Sequence, residues 1–168
     1  MVEFFKTVDG RITEVSEFTE GCWVNMVHPS SDELEQIAQA AQVEEEFVRA
    51  ALDPEESSRV DTEDEQLLMI VDIPMVEKSS VEDGGQMFTT IPMGIVVAQN
   101  AVITVCLEDS IILRSIAEGA VKGVHTSLKT RFVFQILLRI RGPVPEKSAY
   151  DRARLYPHRE ATVRLPQK

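Results

Sequence analysis

Histidine and cysteine, the residue types that most often act as metal ligands or catalytic groups, are few and widely separated in this chain. His28, His125 and His158 show no HxxxH or HExxH spacing, so the sequence does not predict a zinc site. Cys22 and Cys106 are too far apart for a CxxC pair. Both lie in apolar, strand-like sequence, so we expect reduced and buried thiols, although the sequence alone leaves a disulfide open.

Recognised catalytic and nucleotide-binding motifs are also missing. Cys106 and His28 could in principle act as a nucleophile and a base, but no local signature accompanies either residue. A cysteine within an apolar strand is more typical of a core. The sequence contains neither GxxxxGK[ST] nor GxGxxG, which leaves nucleotide binding without support. We therefore expect a protein that is not an enzyme.

Carboxylates are the abundant charged groups, and they are unevenly distributed. The 168 residues carry a net charge of −11; residues 1–140 contribute −15 and residues 141–168 contribute +4. Such an acidic body repels nucleic-acid phosphates and suits a cationic partner, of which metal ions are one class. The alternative is an acidic surface that only aids solubility.

Three apolar, β-branched runs form the middle of the chain, over residues 66–74, 90–99 and 101–107. No residue from 84 to 107 is charged, so by length alone this stretch could cross a membrane. Pro92, Gly94 and the Gln99-Asn100 pair interrupt it, however, and leave runs of strand length with a polar turn between the last two. We interpret these runs as the core strands of a sheet.

Local signals place further elements before these runs. Asp9-Gly10 lies between two alternating segments, residues 3–8 and 11–18, which predicts a hairpin. Residues 22–27 predict a short strand. Ser30 and Glu33 have capping-box spacing, and the helix that follows has an apolar face made of Leu34, Ile37, Ala38 and Ala41.

A second helix is predicted over residues 44–52, before Pro54 ends it. We expect its apolar side to bury Phe47, Val48, Ala51 and Leu52. An acidic connection over residues 55–65 follows, with a short edge strand at Arg59-Val60-Asp61. An exposed loop is predicted at residues 77–85.

Two more helices are predicted after the core runs, one from Asp109 or Ser110 to Ala120 and one over residues 126–140. The last has almost no polar face, so we expect it to be deeply buried or to meet a partner. Residues 141–168 are rich in arginine and lack periodicity, which predicts a disordered basic tail. We therefore divide the chain into a domain over residues 1–140 and a tail over 141–168.

The order of these segments resembles the CorA-type family of magnesium transporters over about residues 20–140. Trp23-Val24-Asn25, followed by the Pro29 turn and an acidic helix, is similar to the opening of the family domain. The segment IPMGIVVAQNAVITVCLED is similar to the family's strand–Asn–strand unit. RFVFQILLRI resembles the start of the family's long stalk helix.

This resemblance implies an α/β fold, with a mixed sheet layered between helices, on the cytoplasmic side of a membrane. It also implies a homo-oligomer, a pentamer in full-length members, in which divalent ions between cytoplasmic domains favour a closed pore. Mg²⁺ is the expected regulatory ligand. The family's Gly-Met-Asn pore signature and its membrane helices do not occur in this sequence, so we expect the chain alone not to conduct ions.

The resemblance further implies a sensing carboxylate just before Arg59-Val60-Asp61. The strict counterpart falls near Ala50, which has no ligand atoms. Asp53, Glu55 and Glu56 lie close by and could substitute, because Mg²⁺ takes oxygen ligands and keeps several waters.

Two hypotheses remain at this stage. The first is a regulatory, ion-sensing domain of a CorA-like divalent-cation transporter, with zinc efflux as a variant of magnesium uptake. The second is a stand-alone binding module or small enzyme on the same fold, which would need an ordered cavity with convergent polar groups.

Overall fold

The computed structural model of the protein describes residues 1–76 and 88–142. The strands are β1 (Val2–Val8), β2 (Arg11–Val15), β3 (Cys22–Val27), β4 (Arg59–Glu63), β5 (Gln66–Val76), β6 (Phe88–Val97) and β7 (Ala101–Cys106). The helices are α1 (Ser31–Ala41), α2 (Glu45–Arg49), α3 (Ile111–Ala117) and α4 (Lys129–Ile140), and a 3₁₀ turn covers Ala50–Leu52. The predicted loop at 77–85 and all but the first two residues of the predicted tail over 141–168 lie outside the described residues.

All seven strands form one mixed sheet in the order β2-β1-β3-β7-β6-β5-β4. Strands β3 and β7 pair in parallel, and the other neighbouring strands pair antiparallel. Every residue of β3 and β7 is buried, as expected for parallel strands that are covered on both faces. The predicted mixed α/β fold is confirmed.

The sheet separates two hydrophobic clusters. Helices α1 and α2 cover one face, where Ile37 packs with Val24 and Ile103. Helices α3 and α4 cover the other face, where Trp23 packs against Phe5 and Phe132 at ring-centroid distances of 4.9 and 5.4 Å. Successive residues of β3 therefore serve opposite clusters, because side chains alternate along a strand.

The predicted elements with strong local signals are confirmed. Strands β1 and β2 form the hairpin around Asp9-Gly10, although β2 ends at Val15 and not at residue 18. At α1, the Ser30 hydroxyl accepts a hydrogen bond from the Glu33 amide, and the Glu33 carboxylate accepts one from the Ser30 amide. The four residues predicted for the apolar face of α1 are all buried.

The predicted second helix is shorter than expected and tightens before it ends. Helix α2 stops at Arg49, and the chain continues as the 3₁₀ turn, in which the Asp53 amide donates to the Ala50 carbonyl over 3.4 Å. Pro54 has no amide hydrogen to extend an α-helical pattern, and i→i+3 bonds commonly close such an end. Leu52 is consequently only partly buried.

Helix α3 ends at Ala117, short of the predicted Ala120. Gly119 adopts a φ of +74°, its amide donates to the Ile116 carbonyl, and the Ala120 amide donates to the Ser115 carbonyl. This pair of bonds is a Schellman motif, which glycine favours because it has no Cβ.

Helix α4 begins at Lys129, three residues later than predicted. Thr126 is instead bound to β1, where its amide donates to Thr7 Oγ1 over 3.0 Å and its hydroxyl accepts from the Thr7 amide over 3.2 Å. Lys129 Nζ then donates to the Ala98 and Gln99 carbonyls of the β6–β7 turn, each over 2.7 Å. These long-range contacts determine where the helix can start.

Helix α4 is not deeply buried on every side, so of the two predicted alternatives the one that remains is that its open face meets a partner. Phe132, Val133 and Ile136 are buried against the sheet. Phe134 and Leu138, on the opposite side, are 60% and 65% exposed.

A buried hydrogen-bond network connects the central strands. Trp23 Nε1 donates to Thr104 Oγ1 over 2.8 Å, and the Thr104 hydroxyl donates to Asn25 Oδ1 over 3.1 Å. Asn25 Nδ2 in turn donates to the Glu3 carboxylate on β1 over 3.1 Å. Arg114 of α3 also donates to Glu3, over 3.2 Å, so the network ties α3 to the sheet.

We predict that Thr104→Val lowers the free energy of unfolding by about 2 kcal/mol. The isosteric change leaves the indole N–H of Trp23 without its acceptor and Asn25 Oδ1 without its donor, and each unsatisfied buried group is costly. Urea unfolding followed by the fluorescence of the single tryptophan would measure the loss. The matched change Thr62→Val on the exposed β4 should stay within about 0.5 kcal/mol of the unsubstituted chain. Equal effects at both positions would contradict a role for the network.

Candidate cation site

The predicted carboxylate ligands lie around the 3₁₀ turn that follows α2. Asp53 and Glu56 line an open depression together with Glu46, Arg49, Ala50 and Leu52. The depression is wide open to solvent and has a volume of about 440 Å³, so a cation there would keep most of its waters. Glu55 is exposed and does not line the depression. The structure thus brings together two of the three predicted ligands.

Glu46 is a carboxylate that the sequence interpretation missed. It lies on α2, four residues before Ala50 and seven before Asp53. Residues with this spacing share one face of a helix. The predicted helix over 44–52 therefore already contained the signal that would have added Glu46.

Backbone hydrogen bonds hold the turn that carries Asp53 and Glu56. The Glu55 amide donates to Asp53 Oδ1 over 2.9 Å, and the Glu56 amide donates to the Asp53 carbonyl over 3.1 Å. The first of these is an Asx turn, which aspartate commonly makes. Both bonds fix the direction in which the chain leaves the 3₁₀ turn.

Two arginines place positive charge at the depression. Arg49 pairs with Glu45, and Arg59 pairs with Glu56 and with Asp61. The hydrogen bond that Arg59 Nε donates to the Asp61 carboxylate, together with the charges of Glu56 and Asp61, raises the pKa of the Arg59 guanidinium. These pairs lie at the surface, with Glu56 half-buried, and such surface pairs contribute little to stability, so a cation can compete with Arg59 for the Glu56 carboxylate.

The donor set suits a hydrated, hard cation. All the candidate ligand atoms in the depression are oxygens, the donors that Mg²⁺ and Ca²⁺ prefer. Within residues 1–76 and 88–142, no three His, Cys, Asp or Glu side chains are grouped closely enough to hold a metal ion. The depression can therefore supply only part of a coordination shell, with water or another chain completing it.

A close contact to the sheet determines where the turn sits. A Cβ on Gly94 of β6 would lie 3.0 Å from the Cβ of Ala51, which is closer than such atoms normally approach. Glycine at this position lets the 3₁₀ turn approach the sheet, and Ala51 is fully buried there. The depression is thus positioned by a residue from a different part of the chain.

The possible nucleophile and base, Cys106 and His28, are joined by a backbone hydrogen bond. The His28 amide donates to the Cys106 carbonyl over 2.9 Å. The Cys106 side chain is fully buried, and this burial, together with the nearby charge of Asp109, raises the pKa of its thiol. A reactive cysteine needs a lowered pKa and some exposure, so this pair lacks the properties of a nucleophilic site. Both cysteines are free and buried, as predicted.

The uncharged stretch that could have crossed a membrane forms strands where the structure describes it. Strands β6 and β7 account for most of residues 88–107. Over the described part of the chain, no helix has both the length and the apolar character needed to span a bilayer.

Comparison with known proteins identifies a family. The family model described as CorA-like Mg²⁺ transporter protein matches residues 19–141. No curated protein sequence matches the chain.

Solved structures share the fold. The complete CorA magnesium transporter of Methanocaldococcus jannaschii is similar with a TM-score of 0.67 and 16% identity, covering 92% of this chain and 47% of that one. The soluble domain of the same CorA is similar with a TM-score of 0.66 and 17% identity, covering 92% of this chain and 59% of that one. The ZntB cytoplasmic domain from Vibrio parahaemolyticus is similar with a TM-score of 0.59 and 19% identity, covering 83% of this chain and 57% of that one. This chain therefore spans about half to three-fifths of the length of these proteins.

We predict that Gly94→Ala destabilises the protein by about 1–3 kcal/mol, the usual effect of overpacking a core. The added methyl group pushes against Ala51 and displaces the turn that carries Asp53. Ala51→Gly would make room for it, so Gly94→Ala should cost less in that background than in the unsubstituted chain. Urea unfolding of all four chains gives the coupling energy. A coupling near zero would show that this contact does not position the turn.

Proposed function

We propose that this chain, which belongs to the CorA-like Mg²⁺ transporter family, is the ion-sensing regulatory domain of a divalent-cation transporter. The observation that supports this role is the carboxylate depression formed by Glu46, Asp53 and Glu56. It lies on a body whose described residues contain 10 Lys or Arg and 22 Asp or Glu. In this proposal the domain lies on the cytoplasmic side of the membrane and performs no catalysis.

Sensing, as we propose it, works through charge neutralisation between subunits. Two acidic bodies repel each other, and a divalent ion between them offsets that repulsion and favours one subunit arrangement. The incomplete ligand set of one depression fits this scheme, since Mg²⁺ keeps several of its waters and binds through one or two carboxylates. A neighbouring subunit would supply further oxygens. The partners are thus divalent cations and further copies of the chain, in a pentamer where the whole transporter is present.

The ion is proposed to be Mg²⁺ on the chemistry of the donors. Zn²⁺ binds most often through cysteine and histidine, and neither residue type lines the depression.

We predict that Mg²⁺ promotes self-association of the chain and that Asp53→Asn and Glu56→Gln each raise the Mg²⁺ concentration needed by roughly tenfold, equivalent to about 1.4 kcal/mol. Sedimentation velocity across a Mg²⁺ titration, at constant ionic strength to hold screening fixed, would measure this. Glu55→Gln is the matched control, because Glu55 is equally near in sequence but does not line the depression.

Three results would count against the proposal. The first is an unsubstituted chain that ignores Mg²⁺, and the second is a Glu55→Gln chain that loses the response as fully as Glu56→Gln. The third is a response to Zn²⁺ with none to Mg²⁺, which would replace magnesium sensing by the zinc variant.

A further inference from the structure

Strand β4 forms one edge of the sheet, and its outer side is not paired with any strand of the described ranges. It is the last strand in the sheet order, and its one neighbour there is β5. An unpaired edge presents a row of amide and carbonyl groups that can pair with another chain. Proteins commonly block such edges with charged side chains, so the arrangement of charges on β4 determines what this edge can accept.

The register of the β4–β5 hairpin shows which backbone groups point outward. Asp64 and Glu65 form its turn with φ angles of +42° and +64°, as in a two-residue type I′ turn. The residues on either side of such a turn exchange hydrogen bonds, and bonded and non-bonded pairs then alternate along the ladder. Val60 and Thr62 are therefore the residues of β4 that direct their amides and carbonyls away from β5. No residue of the described ranges hydrogen-bonds these groups from the outer side.

A second copy of β4 fits this edge in one antiparallel register. When Val60 lies opposite the partner's Val60, the two residues exchange backbone hydrogen bonds, and Arg59 of each copy lies opposite Asp61 of the other. A register centred on Asp61 would place two like charges opposite each other. A register centred on Thr62 would place Asp61 opposite Glu63. Only the register centred on Val60 brings no like charges together, and like charges directly opposite each other are destabilising.

The side chains on both faces of β4 support this register. Arg59 and Asp61 already form an ion pair within one chain, so two paired copies bring together four charges of alternating sign. Val60 points to the other face of the strand, is 62% exposed and has Met69 as its neighbour on β5. Contact between the two Val60 side chains removes apolar surface from water. The charges on this edge therefore select a partner that carries the same strand.

The opposite edge of the sheet offers a poorer match. By the same alternation around the Asp9-Gly10 turn, Ile12 and Glu14 are the residues of β2 that direct their amides outward. Two β2 strands centred on Ile12 place Arg11 opposite an uncharged threonine. Pairing of β2 with β4 of another copy makes one pair of opposite charges, whereas pairing of β4 with β4 makes two.

We propose that β4 pairs antiparallel with β4 of a second copy of this chain, so that two sheets continue across a two-fold axis. Backbone hydrogen bonds and the contact between the Val60 side chains hold the copies together. The pairs between Arg59 and the partner's Asp61 determine the register. Such a contact is isologous and closes on itself. It needs no metal ion, so it does not rest on the ion sensing proposed above.

Self-association of the full chain in the presence of EDTA tests this proposal. A five-residue edge buries little area, so the association is weak, and sedimentation equilibrium should extend to about 1 mM protein. Salt at roughly 0.15 M screens the repulsion between the acidic bodies. EDTA removes divalent ions, so this contact and Mg²⁺-dependent association succeed or fail separately. We expect an equilibrium between monomer and dimer.

A proline at the centre of the edge should break the contact and leave the fold intact. The Val60 amide points outward, so Val60→Pro removes a donor to the partner but no bond to β5. We expect its Kd for dimerisation to rise at least about tenfold, because both hydrogen bonds at the two-fold axis are lost. Glu14→Pro on β2 is the matched control, since that exposed residue also directs its amide away from the sheet. Its Kd should stay unchanged, and circular dichroism confirms the fold of both variants.

An exchange of charges tests the register. Arg59→Asp and Asp61→Arg should each raise the Kd by roughly tenfold, because like charges then lie opposite each other. An equimolar mixture of these two variants should form a heterodimer, since every facing pair again has opposite signs. Arg49→Asp on α2 is the control, because it changes the net charge as Arg59→Asp does but lies away from the edge.

Four results would overturn the proposal. The unsubstituted chain could stay monomeric at the highest concentration, or dimerisation could survive Val60→Pro with the fold intact. Glu14→Pro could weaken association as much as Val60→Pro, which would assign the contact to β2 with β4. Finally, the mixture of Arg59→Asp and Asp61→Arg chains could fail to associate, which would show that the strands do not meet in this register.

Discussion

The parallel pairing of β3 with β7 is the constraint on which the rest of this structure depends. Both strands are buried along their whole length, so each face of the sheet must be covered by helices. β3 is followed by α1 on one face, and β7 is followed by α3 on the other. The buried network from Trp23 through Thr104 to Asn25 fixes how the two strands lie against each other. The antiparallel strands on either side extend this centre towards two exposed edges.

The parts of the fold that could be predicted from sequence are those specified by a few adjacent residues. The Asp9-Gly10 turn, the capping box of Ser30 and Glu33 and the runs that form β5, β6 and β7 all carry their signal locally. The start of α4 does not, because it depends on Thr126 meeting Thr7 of β1 more than a hundred residues earlier. No periodicity within residues 126–140 could reveal that contact. The exposure of one side of α4 could not be predicted either, because apolar residues have the same spacing whether or not another element covers them.

The candidate site shows the same division. That Asp53 and Glu56 lie near each other follows from their positions beside one short turn, and Glu46 follows from helical spacing. The ion pair between Arg59 and Glu56 depends on how the chain leaves the turn, and the place of the turn depends on Gly94 of β6. Sequence patterns can therefore suggest which carboxylate oxygens are available to a cation. Whether an arginine already pairs with one of these carboxylates is visible only in the three-dimensional structure.

The separation of charge within this domain has a physical consequence for the ion sensing that we propose. Repulsion between acidic bodies is what a divalent ion would relieve, so ion sensing needs a carboxylate excess to persist on the domain. Residues 119–142 contain five Lys or Arg and no Asp or Glu, so half of the positive charge of the described residues is collected in one stretch. The other described residues contain five Lys or Arg and 22 Asp or Glu. Most carboxylates of the domain are therefore not neutralised by its own cations, and the repulsion that a divalent ion would relieve is preserved.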